Sequence, residues 1–178
     1  MKAILTTILA AAAMAACVAQ EMQMPPRPAE LDKLEFMAGD FDEATTMTMP
    51  TGEKVETKGA VSAKWTLGKR YIRSENTGEM PGMGKFEGML MLTWNELIGK
   101  YEGTWFDSMG GWHLKASGML ENDTLTLISE EVEYPGAGKM QFRMSYKKLD
   151  AKKIEFKLDL KMDGEFANQM TSIMTRKG

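Results

Sequence analysis

Few residue types in this chain could do chemistry. Of 178 residues, one is histidine and one is cysteine. A single cysteine rules out a disulfide framework, and a single histidine rules out a His-rich metal cluster. A serine nucleophile needs a histidine base and an acid that orients it. Asp107-Ser108 offers the acid and the hydroxyl, but His113 lies beyond Gly110-Gly111 in the wrong phase. If Trp112, Leu114, Ala116 and Gly118 face inward, His113 shares the water side with Lys115 and Ser117, which also argues against haem or metal ligation. Hydrolysis by paired carboxylates needs two acids facing each other, and no spacing here supplies them. Asp107 reads as a turn or rim residue. The balance is against an enzyme.

Methionine is abundant, with 18 in the chain. Met22/Met24, Met47/Met49 and Met89/Met91 are thioether pairs at one-residue spacing. In a strand such pairs share a face, and thioethers are soft ligands suited to Cu(I). Against this, Met140, Met144, Met162, Met170 and Met174 suit the lining of an irregular apolar cavity, where methionine is adaptable filler. No second histidine or cysteine supports a metal, so neither metal nor cofactor is expected.

The aromatics are more informative. Trp65, Trp94, Trp105, Phe86, Phe142 and Phe156 share the inward phase of their predicted strands with the aliphatic residues. Core packing explains most of them, yet large apolar side chains around a cavity, with a few polar groups, also build small-molecule sites. The segment Tyr71-Ile72-Arg73-Ser74-Glu75 does not alternate cleanly. An inward Arg73 would need a partner or an anionic head group. The expected ligand-binding set is Trp65, Arg73, Trp94, Trp105, Asp107 and Met144.

The elements that must position these residues follow from period and punctuation. Residues 29–38 suit a short helix stopped by Gly39. After it the period becomes two. Strands are predicted over 41–49, 55–66, 70–80, 85–95, 100–108, 112–120, 124–134, 139–149, 153–162 and 165–175, separated by turn residues such as Asn122-Asp123 and the hairpin signal Asp163-Gly164. Parallel pairing would need long crossovers, which are absent, so the sheet is an antiparallel meander. The predicted fold is all-β, a ten-stranded antiparallel up-and-down barrel that closes on itself, with the short helix plugging one end. Eight strands enclose about the space side chains can fill, so ten imply an interior cavity.

The amino terminus reads as an address. Lys2 precedes the apolar run 3–16, which is too short to span a bilayer, and Cys17-Val18-Ala19 places small residues at the peptidase positions. Residues 1–19 are expected to be a signal peptide, 20–28 a flexible leader and 29–178 a single barrel domain. Met14-Ala15-Ala16-Cys17 also resembles a lipoprotein signal, although Met14 stands where Leu is usual. A periplasmic or secreted location is therefore expected, with an outer-membrane lipoprotein as alternative. Contact with a membrane is expected only if Cys17 is lipidated. With 22 Lys and Arg against 25 Asp and Glu, a net charge of -3, nucleic acid is excluded as partner.

Phe86-Glu87-Gly88-Met89 and the run from Gly99 to Gly110, through Trp105-Phe106-Asp107-Ser108, resemble a bacterial family known only as domain of unknown function fifteen-seventy-nine. Leu34 to Gly39 and the ending Asp163-Gly164-Glu165 with Ile173-Met174-Thr175-Arg176 are similar to that family's opening and last hairpin. The family usually has Trp where Phe41 stands, and a glycine pair where Gly68-Lys69 stands. The resemblance implies a lipocalin-like, or calycin-like, barrel and implies no activity.

The functional expectation is an exported protein that binds a small apolar or amphipathic molecule in the barrel. The alternatives are Cu(I) binding through paired methionines and a structural envelope module with a filled core. Strand parity adds a placement: Trp65 and Trp94 at the end closed by the helix, Trp105 and Asp107 at the open mouth.

Overall fold

The computed structural model describes residues 25–178 apart from positions 50, 83, 135, 137 and 163. The expected signal peptide, Cys17, the Met22/Met24 pair and the start of the leader lie outside the described residues. A 3₁₀ helix over Ala29–Met37 comes first. Eleven strands follow among the described residues: β1 (Gly39–Thr48), β2 (Lys54–Thr66), β3 (Tyr71–Met80), β4 (Gly84–Asn95), β5 (Lys100–Asp107), β6 (His113–Glu121), β7 (Thr124–Ser129), β8 (Val132–Tyr134), β9 (Gly138–Lys148), β10 (Lys153–Lys161) and β11 (Ala167–Arg176).

Strands β1 to β7 pair in order, β9 follows β7, and β9 pairs with β10, β10 with β11 and β11 with β1. The result is the expected closed ten-stranded antiparallel barrel. The short β8 continues the antiparallel pairing of β7 along β9 after a one-residue shift in register, from Ile128–Arg143 to Val132–Met140.

Period two is what drives closure. On β2, Val61 and Ala63 are buried, while Ser62 between them is only partly so and Lys64 beyond them is exposed. Ile72, Leu90, Leu92, Leu125 and Leu127 are fully or almost fully buried on the same inner surface. Closing the sheet takes this surface out of water, at about 25 cal/mol per Å² of apolar area. Tight turns hold the register. Asn122 and Asp123 both take left-handed φ, 48° and 61°, the geometry that matches the right-handed twist of the flanking strands.

The helix closes one end. Leu31 and Leu34 are fully buried and Met37 nearly so. The Tyr101 hydroxyl donates to the Glu30 carbonyl at 2.9 Å, and the Trp65 indole donates to the Glu35 carboxylate at 2.8 Å. From the last strand, Arg176 donates to the carbonyls of Ala38 at 2.6 Å and Phe36 at 2.9 Å, and its guanidinium lies 4.7 Å over the Phe41 ring.

Two expected elements differ. The predicted strand 124–134 breaks after Ser129, because the Ser129 hydroxyl accepts the Phe142 backbone N–H at 2.9 Å. That hydroxyl stands in for the next ladder carbonyl, so the β7–β9 register ends at Ile128 and Arg143. The predicted two-residue hairpin at Asp163-Gly164 is a longer connection, since β10 ends at Lys161 and β11 starts at Ala167. Phe166 lies within that connection, 4.5 Å from the Arg143 guanidinium, and is spent on covering it rather than on pairing.

Candidate functional site

Beyond the helix-filled floor the barrel holds a cavity of about 410 Å³. Its walls are mainly apolar, with Phe86, Trp105, Leu114, Phe142, Met144 and Phe156 among them. It opens at the end away from the helix. There Trp112 sits at the rim with Phe142 at 6.4 Å and with Tyr134 of β8 at 6.1 Å. The opening extends sideways as a slit, because the β2–β3 register stops at the Gly59–Gly78 pair while β2 continues outward along β1 and β3 along β4. Thr57, Lys58, Thr77 and Glu79 border this slit.

Trp105 is held at the mouth by three contacts. Its indole donates to the Asp107 carboxylate at 2.8 Å, and its ring is stacked on Phe86 with centroids 6.3 Å apart. The ring lies so close over Gly88 that a Cβ there would stand 2.4 Å from it. Only glycine allows that approach without displacing the indole. The second Asp107 oxygen accepts the Met109 backbone N–H at 2.9 Å. Both carboxylate oxygens are thus engaged in shaping the rim, the role the sequence suggests for this residue.

A polar group deep in the wall is the least expected feature. Glu43 of β1 points inward and lines the cavity with Thr45, Asn76 and Tyr146. Ser172, fully buried, shares a hydrogen bond of 2.7 Å with Thr45. Burial pushes the Glu43 carboxyl above its ordinary range, with the Ser172 hydroxyl pulling the other way. The Tyr146 phenol is pushed up by burial and further by the Glu43 charge. Gly59, paired with Glu43 across the β1–β2 ladder, leaves the carboxyl its room, since a Cβ there would come within 3.2 Å of Oε2.

The expected ligand-binding residues divide into three groups. Trp105, Asp107 and Met144 line the cavity. Trp65 and Trp94 lie at the helix-closed floor, opposite Asp107 as strand parity requires, but they do not line it. Trp65 is engaged by Glu35 and by the Arg27 guanidinium 4.6 Å over its ring, and Trp94 meets Tyr101 edge-on at 5.0 Å. Leu31 and Leu34 of the helix fill the space such a ligand would need. Arg73 corrects the sequence reading outright. It projects to solvent beside Glu75, with a 2.9 Å ion pair between two half-exposed side chains. The inward positions of β3 are Ile72, Ser74 and Asn76, and it is these polar inward residues that blur the alternation.

His113 is exposed, against Phe106 on the outer face at 5.8 Å. Met47 and Met49 line the cavity, whereas Met89 and Met91 share the outer phase of β4. Of the five methionines expected as lining, Met144, Met170 and Met174 are there, while Met162 is exposed. Among the described residues no three His, Cys, Asp or Glu side chains group to hold a metal. Glu43 was the residue to find from sequence. Phe41, Glu43, Thr45 and Met47 alternate with Asp42, Ala44 and Thr46, and an acid on the phase of a buried Phe is the available signal.

No protein with a curated description matches the chain. The fold is similar to the crystal structure of Rv2717c from M. tuberculosis, with a TM-score of 0.63 at 15% identity over 86% of this chain and 100% of that one. At this identity the likeness concerns the fold alone. In sequence, residues 28–176 match the family described as protein of unknown function (DUF1579), and the chain belongs to that family.

Proposed function

We propose that this protein is a non-enzymatic carrier that holds one small apolar or amphipathic molecule inside the barrel. The observation that supports this best is the cavity of about 410 Å³, open at one end and walled by aromatic and methionine side chains. Small-molecule sites fall in the range of roughly 300–1,000 Å³ and combine such walls with a few placed polar groups. The sequence further supports export, as a periplasmic or secreted protein starting at Gln20 or as a lipoprotein starting at a lipidated Cys17.

Native mass spectrometry of the protein purified from its own host tests the whole reading. The expected result is one adduct per chain, lost in Met144→Trp, whose indole would fill the chamber. The mass of the chain itself distinguishes a start at Gln20 from a lipid-bearing Cys17. The absence of any adduct, with no uptake of a neutral apolar dye, would overturn the carrier reading in favour of a structural module. The soft-metal alternative draws on Met47 and Met49, which both line the cavity. Stoichiometric Cu(I) uptake in a titration would favour it over the carrier.

A further inference from the structure

We propose that the molecule this cavity takes carries a cationic amine head that pairs with Glu43, with its apolar tail among Trp105, Met144 and Phe156. This rests on the carrier reading above and names its ligand class. The charged residues that line the cavity among those described are Glu43, Lys58, Glu79 and Asp107. Lys58 is exposed on the outer phase of β2, Glu79 borders the slit, and Asp107 is engaged by Trp105 and the Met109 N–H. Glu43 has no ion-pair partner among the described residues.

Each element packed around Glu43 supplies a neutral group. β11 contributes Ser172 and Met174, and β1 itself contributes Thr45. β2 contributes Gly59 and β9 the Tyr146 phenol, which is kept neutral by its burial. A carboxylate walled by hydroxyls and apolar groups lacks the opposite charge that would offset its desolvation. An alkylammonium ion supplies that charge, and its N–H donors match the acceptors of Glu43 and Thr45, which both line the cavity. An alkyl carboxylate meets repulsion from Glu43 and again from Asp107 at the mouth. A neutral alcohol gains only the apolar contacts and one hydrogen bond. Because Glu43 is held above the ordinary carboxylate range, pairing it with an ammonium favours its ionised form. A fraction of the protein that starts protonated therefore releases a proton on binding.

Calorimetry with decylamine, decanol and decanoate, each below its micelle concentration, tests the head-group assignment. The amine is expected to bind about tenfold or more tighter than the alcohol, equivalent to about 1.4 kcal/mol, and decanoate weakest. In Glu43→Gln the amine should fall to the alcohol's affinity while the alcohol is unchanged, which also shows that the variant is folded. If the variant does not fold, the ranking of the three compounds on the natural protein decides alone. Decanol binding with no preference for the amine would overturn the head-group assignment and leave the carrier reading standing. Binding by none of the three would take both down.

Discussion

Glu43 ties stability to pH in a direction that can be stated before measurement. Its carboxyl is raised in the folded state, so the native protein holds this proton more tightly than the unfolded chain does. Stability from this group is therefore greatest at acid pH and falls as pH climbs from the ordinary carboxylate value through the raised one. Glu43→Gln removes the dependence. The ligand-free variant should match the natural protein in mildly acid buffer and melt above it at neutral pH, by roughly 2–4 °C for each kcal/mol recovered. Thermal scans across that pH range check it, and a variant less stable at neutral pH would contradict the assignment. At this scale the sequence was legible where side chains are large. Trp105 and Asp107 stand out by type and spacing, and the structure joins them by a 2.8 Å hydrogen bond. Arg73 stands out from the sequence, whereas Glu43 does not. Both are charged residues on strands with mixed polarity, and only the register that pairs Ala63 with Ser74 and Gly59 with Glu43 shows which of them faces in.

Strand ends are set by side chains that compete for ladder hydrogen bonds, which period alone does not reveal. In residues 124–134 the apolar phase shifts after Ser129, from Leu125 and Leu127 to Val132 and Tyr134, but the shift alone does not say at which residue the pairing ends. The cue lies in the Ser129 hydroxyl, which is buried, accepts from the Phe142 N–H and is itself 2.6 Å from the Glu130 carbonyl. Ser129→Ala leaves the Phe142 N–H without that acceptor, at a cost of about 1–3 kcal/mol. Urea denaturation should show the midpoint falling with an unchanged slope. An unaltered midpoint would mean that the chain re-pairs and that the serine does not set the strand end. The consequence is local but placed at the mouth, because Tyr134 on β8 rests against Trp112. By contrast, the hairpin between β6 and β7 was legible in full, since Asn122 and Asp123 are among the residue types that accept left-handed φ.

At the scale of the molecule the barrel has two unlike ends, and the difference begins in the chain's order. The helix precedes β1, so it can only cover the end where β1 starts and the even-numbered β2 and β4 finish, which is where Trp65 and Trp94 lie. The same order brings the last strand home beside the first, so that Arg176 reaches back across the closure to the helix end. Its neighbour Gly39 has φ of 148°, and a Cβ at that position would stand 2.0 Å from the Arg176 guanidinium. One side chain thus links the helix, the first strand and the last. Arg176→Met keeps the stem that packs near Phe41 but removes both donors to the Phe36 and Ala38 carbonyls. The expected cost is about 1.5–3 kcal/mol, as for hydrogen bonds to a charged group. It should appear as a lowered melting temperature together with faster hydrogen exchange in residues 29–38. Exchange at the mouth, around Trp105 and Asp107, should stay as it was, because no contact of Arg176 reaches that end. Uniform acceleration at both ends would mean that floor and mouth open as one unit, and that the helix is not a separable plug.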